Sequence, residues 1–237
     1  MTLKPFDRRK FLKVSTTTVA SLLVGCPEKS TVKRWKTAGR SAAPAGAPVP
    51  EESPNSPTPN CAKTSRDITG PYWRKGIPVR HQFDLYDDSG QTLSLSGVVL
   101  DERCRPIQNA VIEMWHASPT VALADALSPA DSVDYDLGSS TFRYYGQFAT
   151  GQRGEYSMST KKPGWYLNGD AFRPSHIHVK IYVEGVERLT TQLYFEDDPF
   201  IAEDPWASVA PERVLVLKST PKGHLSSRFD FTVSTIS

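Results

Sequence analysis

Nine short runs rich in Val, Ile, Leu, Tyr, Phe and Thr follow one another between residues 81 and 233. They are candidate strands at His81–Tyr86, Leu93–Leu100, Ala110–Ala117, Phe142–Thr150, Glu155–Thr160, His176–Val183, Leu189–Phe195, Val214–Lys218 and Phe229–Val233. Such runs suit a pleated, half-buried surface. Asp87-Asp88-Ser89-Gly90 and Gly151-Gln152-Arg153-Gly154 supply turns between them. No helix of three turns is expected in this region, apart from a short one near Pro119–Ala130. The pattern predicts an all-β chain, built as an antiparallel β-sandwich or a barrel.

The N-terminal quarter has a different character. Residues 1–26 carry Lys4, Arg8, Arg9, Lys10 and Lys13 against Asp7, followed by a short, moderately apolar stretch from Val14 to Gly25. That order is the layout of a signal peptide. The Arg8-Arg9 pair before Phe11-Leu12-Lys13 resembles a twin-arginine signal, and Leu23-Val24-Gly25-Cys26 resembles a lipobox whose Cys becomes lipidated. A buried amphipathic helix explains charge order and Cys position less well. Residues 27–60, rich in Pro, Ser, Ala and Gly, cannot bury a core and read as a disordered tether. Residues 61–237 form the folded domain. The chain is thus expected outside the cytoplasm, held at a membrane by a lipid on Cys26.

Removing the basic leader changes the meaning of the overall charge. The chain's +2 comes from 28 basic and 26 acidic side chains, and without residues 1–26 the balance is about −2. No Lys/Arg stripe remains, which argues against nucleic acid as a partner. No run of about 18 apolar residues could span a bilayer. With Cys26 lipidated, Cys61 and Cys104 are an even pair in an oxidising compartment. A disulfide and two separate thiols both stay open.

The sharpest chemical feature is Arg173-Pro174-Ser175-His176-Ile177-His178-Val179. On a strand, alternate side chains share a face, so His176 and His178 point one way and Ile177 and Val179 the other. Two imidazoles at that spacing make a metal-binding edge. Taken alone the pair is weak, since many such pairs are exposed by chance or hold zinc or copper in unrelated folds.

Its surroundings narrow the reading. Gly70-Pro71-Tyr72 opens the domain, and a strand ends at Asp101. A second strand runs into Trp115, and Pro163-Gly164-Trp165-Tyr166 precedes the histidines. Thr191-Gln192 follows them. In this order the motifs resemble those of the intradiol ring-cleavage dioxygenases, across residues 64–233. The resemblance implies a β-sandwich holding non-haem Fe(III) by two tyrosinates and two histidines: Tyr135, Tyr166, His176 and His178. Tyr135 departs from the family pattern. Residues 122–130 read as an insertion, and Val133-Asp134-Tyr135-Asp136 lacks the expected glycine. Tyr144 and Tyr145 compete for the position and are read as sheet residues.

Further roles follow from the resemblance. A catecholic substrate displaces Tyr166, which acts as a base. O2 then attacks the ring, which opens between its two hydroxyl-bearing carbons to a muconate-type diacid. Arg173 stabilises developing negative charge, and Gln192 orients Arg173. Tyr72 and Trp165 are either pocket walls or core. His81, His116 and His224 are read as structural or exposed. A homodimer is compatible with this reading. The competing readings are a non-catalytic β-sandwich lipoprotein and an extracytoplasmic copper or zinc carrier using His176 and His178.

Overall fold

The computed structural model describes residues 61–138 and 140–235. The expected signal, lipobox with Cys26 and tether lie outside the described residues. Twelve strands form among the described residues: β1 Thr92–Asp101, β2 Val111–Trp115, β3 Tyr145–Ala149, β4 Glu155–Lys161, β5 Leu167–Asn168, β6 Ala171–Phe172, β7 His176–Val183, β8 Val186–Phe195, β9 Val214–Leu215, β10 Lys218–Ser219, β11 Leu225–Arg228 and β12 Phe231–Val233.

Two five-stranded sheets carry the fold. In the first, β1 pairs antiparallel with β4 on one side. On the other side it pairs in parallel with β11 along its first half and with β12 along its second. In the second sheet the order is β3-β2-β7-β8-β9, antiparallel except for the β8/β9 edge. β5 and β6 form a small separate hairpin. The architecture is therefore the expected all-β sandwich, with a few parallel pairings that strand count alone does not foresee.

The core follows from period-2 patterning. β1 alternates strictly, burying Leu93, Leu95 and Val99. Ile112 and Met114 of β2, Ile177, Val179 and Ile181 of β7, and Phe231 of β12 belong to the same apolar cluster and are fully buried. Each such side chain contributes roughly 1.5–3 kcal/mol on leaving water. Gly97 has no room for a side chain: an added Cβ would sit 1.8 Å from the Phe229 carbonyl oxygen, where the chain passes from β11 to β12. Asp101 ends β1 by accepting the Arg103 and Arg105 backbone N–H groups, each at 2.9 Å. A disulfide joins Cys61 to Cys104 at a Cα separation of 5.3 Å, with Cys104 in the turn that Asp101 closes.

Three expectations need correction. His81–Tyr86 is not a strand. It touches the sheets through an isolated bridge at Gln82 and the Phe83 N–H donating to Ser159, because Phe83 is the one side chain of the run buried in the core. The run Val214–Lys218 divides between β9 and β10, and β11 goes unanticipated because Leu225-Ser226-Ser227-Arg228 is polar and is a strand only through pairing with β1. The short helix near Pro119–Ala130 is two single 3-10 turns, Ala124–Ala126 and Pro129–Asp131.

Candidate active site

β7 sends Ile177 and Val179 into the inter-sheet core, so His176 and His178 fall on the opposite face of the second sheet. Cross-strand register sets their neighbours. Trp115 of β2 and Gln192 of β8 flank His178, and Tyr194 of β8 sits opposite His176. This outer face is itself covered, and each histidine is only 1% exposed. The cover includes Gly70–Tyr72 and the segment around Tyr135 and Tyr166, which with Trp115 and Tyr145 form a second, aromatic cluster.

Four of the side chains singled out in the sequence converge here. The Tyr135 hydroxyl lies 3.3 Å from His176 Nε2 and 3.2 Å from His178 Nε2, and the two Nε2 atoms are 3.2 Å apart. The Tyr166 ring stands edge-on to Tyr135, centroids 5.4 Å apart, and 5.6 Å from the His176 ring. Tyr144 and Tyr145 point elsewhere. Tyr144 donates to Asp88 and Tyr145 to the Tyr72 carbonyl at 2.8 Å.

The ring positions have identifiable causes. His176 Nδ1 is 2.6 Å from the Pro174 carbonyl, which needs a donor, so Nδ1 carries the proton and Nε2 presents a lone pair. His178 Nδ1 has no partner among the described residues. That ring is held by packing instead: Trp115 stacks on it at 4.8 Å and 3°. Gly70, at φ +69°, lies so close that an added Cβ would be 3.2 Å from His178 Cε1. Burial, with the charge of Arg173 adding to it, lowers the pKa of His176 to about 3, and burial holds that of His178 well below the usual histidine range, so both stay neutral. Burial raises both phenols, and for Tyr166 the Arg173 charge opposes that rise.

Arg173 is buried beside this group. Its Nη1 reaches the Tyr166 hydroxyl at 3.4 Å, its Nη2 donates to Gln192 Oε1 at 3.2 Å, and its Nε donates to Asp204 Oδ2 at 2.5 Å. The Trp206 ring lies against the guanidinium, 4.5 Å away. Gln192 is anchored in turn, donating to the Ile68 carbonyl at 3.0 Å and to Asp67 at 3.3 Å. Asp67 also accepts from Tyr194 at 2.9 Å and pairs with buried Arg213. Asp67, Asp204 and Trp206 are part of this apparatus and carry no sequence signal beyond their acidity or size.

Two clefts flank the group. One, about 320 Å³, is lined by Tyr72, Asp134, Tyr135 and Tyr166 among others. The other, about 470 Å³, opens on Arg173, Asp204 and Trp206. Tyr72 is a cleft wall, stacked on Tyr135 at 4.1 Å and 17°. Trp165 lines neither: its indole N–H donates to Asp198 at 2.8 Å and its ring meets Phe200. His116 is buried and hydrogen-bonded to Thr160, away from both clefts.

The donor set suits a metal ion. Three buried N and O atoms 3.2–3.3 Å apart have the spacing of neighbours around one cation with bonds of about 2.0–2.2 Å. Phenol and imidazole donors match a hard ferric ion, and a bound cation would reverse the raised phenol pKa values. Among the described residues no three His, Cys, Asp or Glu side chains gather. Asp170, six residues before His176, is exposed in the turn between β5 and β6.

Comparison with known proteins supplies the family context. Residues 68–234 match a family model described as dioxygenase. The chain is 33% identical over 156 residues to the protocatechuate 3,4-dioxygenase beta chain of Burkholderia cepacia, covering 61% of this chain and 65% of that one. It is 30% identical over 163 residues to a Pseudomonas putida chlorocatechol 1,2-dioxygenase, covering 62% and 59%. The chain thus spans roughly three fifths of these relatives' lengths. The crystal structure of 3-chlorocatechol 1,2-dioxygenase from Rhodococcus opacus superposes with a TM-score of 0.62 at 28% identity, over 73% of each chain. The dioxygenase domain of a carbohydrate-binding fusion protein from Streptomyces sp. SirexAA-E gives 0.62 at 27%, over 74% of this chain and all of that one.

Proposed function

Because the chain belongs to the intradiol ring-cleavage dioxygenase family, we propose that it opens a catecholic ring between the two hydroxyl-bearing carbons, using O2 and yielding a muconate-type diacid. In this reading a non-haem Fe(III) is held by Tyr135, Tyr166, His176 and His178. The observation that carries it is the buried triangle of Tyr135, His176 and His178 donor atoms, with Tyr166 and Arg173 beside it. When bound there, ferric iron would supply Lewis acidity that draws electron density from the catechol ring and favours attack of O2 on carbon.

The side chains divide the remaining work. As phenolate, Tyr166 Oη accepts a proton from an arriving catechol hydroxyl, since it is the phenol that borders both Arg173 and a cleft. Arg173 Nη1, within reach of that oxygen, provides positive charge where oxygen becomes negative. Its aim is fixed by Gln192 and Asp204. Tyr72 excludes water from the Tyr135 face by stacking on it. Export and lipid anchoring through Cys26 complete the proposal and place the reaction outside the cytoplasm.

The test is an anaerobic visible spectrum of iron-loaded protein, with and without catechol, followed by product analysis in air. A tyrosinate-to-iron band that shifts with catechol is expected. Tyr135→Phe and Tyr166→Phe should each weaken or move it, whereas Tyr144→Phe and Tyr145→Phe should not. Loss of the band in Tyr144→Phe or Tyr145→Phe but not in Tyr135→Phe would refute the ligand set. A yellow semialdehyde product, or no turnover, would refute the reaction.

A further inference from the structure

The exposed charges in the linings of the two clefts are all acidic. Asp134 borders the cleft formed by Tyr72, Tyr135 and Tyr166. Asp170 and Glu203 border the cleft formed by Arg173 and Trp206, with Asp204 beneath them. Asp134, Asp170 and Glu203 are exposed, and none has a cation within ion-pair distance among the described residues. The one cation in either lining is Arg173, which is buried, paired with Asp204 at 2.5 Å and bonded to Gln192 on a second edge, with Nη1 turned to Tyr166. A substituent projecting from a ring bound at Tyr135 and Tyr166 therefore meets Asp134 in their own cleft, or Asp170 and Glu203 where it extends past Arg173, and neither lining holds an unpaired guanidinium or ammonium.

Resting on the catechol-cleavage reading above, we infer that the site is selective by charge. It takes catechols whose ring substituent is neutral or cationic and discriminates against those bearing a carboxylate. Asp134, Asp170 and Glu203 are the specificity-determining residues. The physical basis is Coulombic and needs no direct contact. A unit charge about 8 Å away across water changes affinity about twofold, and three carboxylates act in the same direction on a substituent of either sign. The preference for a cationic over an anionic substituent should then reach at least about tenfold at low salt, and it should shrink as the Debye length shortens.

The experiment uses three ring substituents of similar size on the iron-loaded enzyme: 4-ethylcatechol, 4-(2-aminoethyl)catechol and 3-(3,4-dihydroxyphenyl)propionate. The kcat/KM ratio of amine to carboxylate should be at least about tenfold at low ionic strength and fall at least about threefold in 0.5 M salt. Asp134→Asn, Asp170→Asn and Glu203→Gln together should narrow it in low salt. Turnover of 4-ethylcatechol with a ratio near one, an inverted ratio, or a ratio indifferent to salt would overturn the charge selectivity and leave the cleavage reading intact. No turnover of 4-ethylcatechol either would overturn both. The salt dependence is read on wild-type protein, so the inference stays testable even if the triple variant folds poorly.

Discussion

Asp204→Asn isolates the support of Arg173 and has a calculable cost. The Asp204–Arg173 pair is buried, with side chains 2% and 6% exposed. Removing one partner of such a pair leaves a charge without compensation and costs about 3–5 kcal/mol. Here Arg173 keeps the Gln192 carbonyl oxygen and the Trp206 ring, and the amide oxygen of Asn can still accept the Trp206 and Ala207 N–H groups that Asp204 Oδ1 now takes. The lower end, about 3 kcal/mol, is therefore expected. With a urea slope of about 2 kcal/mol per molar, the unfolding midpoint should fall by about 1.5 M at 25 °C. A companion variant, Arg173→Met with Asp204→Asn, removes both charges, keeps an oxygen for the Trp206 and Ala207 N–H groups and should regain part of that stability. It should cleave the ring more slowly than wild type, because the positive charge beside the Tyr166 hydroxyl is then gone. A midpoint within about 0.5 M of wild type for Asp204→Asn would refute the reasoning. So would a double variant that cleaves catechol at the wild-type rate.

Other expectations follow from single features. Thiol labelling of the mature oxidised domain should find Cys61 and Cys104 blocked. Their bridge closes a sequence separation of 43 residues, so reduction should cost up to about 4 kcal/mol on a chain-entropy estimate; two labelled thiols in native protein would contradict the bond. Burial lowers the pKa of His116 to about 4, below the unfolded value near 6.5. The unfolded chain therefore binds the extra proton first, and stability is lost as pH falls from about 6.5 to about 4. His116→Gln should cut the stability lost between pH 7.5 and 4.5 by about 2.5 kcal/mol, and an unchanged pH dependence would remove His116 as its source. Cys26→Ser should release the protein from the membrane fraction. Wild-type protein that is soluble and unmodified at Cys26 would refute the anchor.

The parts of the fold that could be read in advance are those where local pattern and tertiary demand agree. β7 has the expected limits, His176–Val183. Pro174 precedes it, Glu184 and Gly185 adopt positive φ in the turn that ends it, and its apolar residues keep period two between. His81–Tyr86 has the composition of a strand but no partner along its length, since it meets β4 around Ser159 alone. β11 is the reverse, a polar tetrapeptide made into a strand by the exposed edge of β1. Composition measures what a segment prefers, whereas pairing depends on what stands beside it.

The same distinction runs through the site. Period two is enough to put His176 and His178 on one face, because that is a property of the strand itself. Tyr135 required more, since residues 122–130 interrupt the register, and Tyr144 and Tyr145 were equally aromatic. What separates the three is where each hydroxyl goes: Tyr135 to the two Nε2 atoms, Tyr144 to Asp88, Tyr145 to the Tyr72 carbonyl. Asp67 and Asp204 were beyond reach for a different reason. Their importance lies in pairing with Arg213, 146 residues away, and Arg173, 31 residues away, and an isolated acid in a loop gives no hint of its partner. Both carboxylates are buried and each neutralises an arginine next to the covered face of the second sheet. In a low-dielectric setting an arginine left without its carboxylate would lose its place as well as its compensation. The acids that hold the cations are thus as necessary to the geometry as the residues that face a substrate.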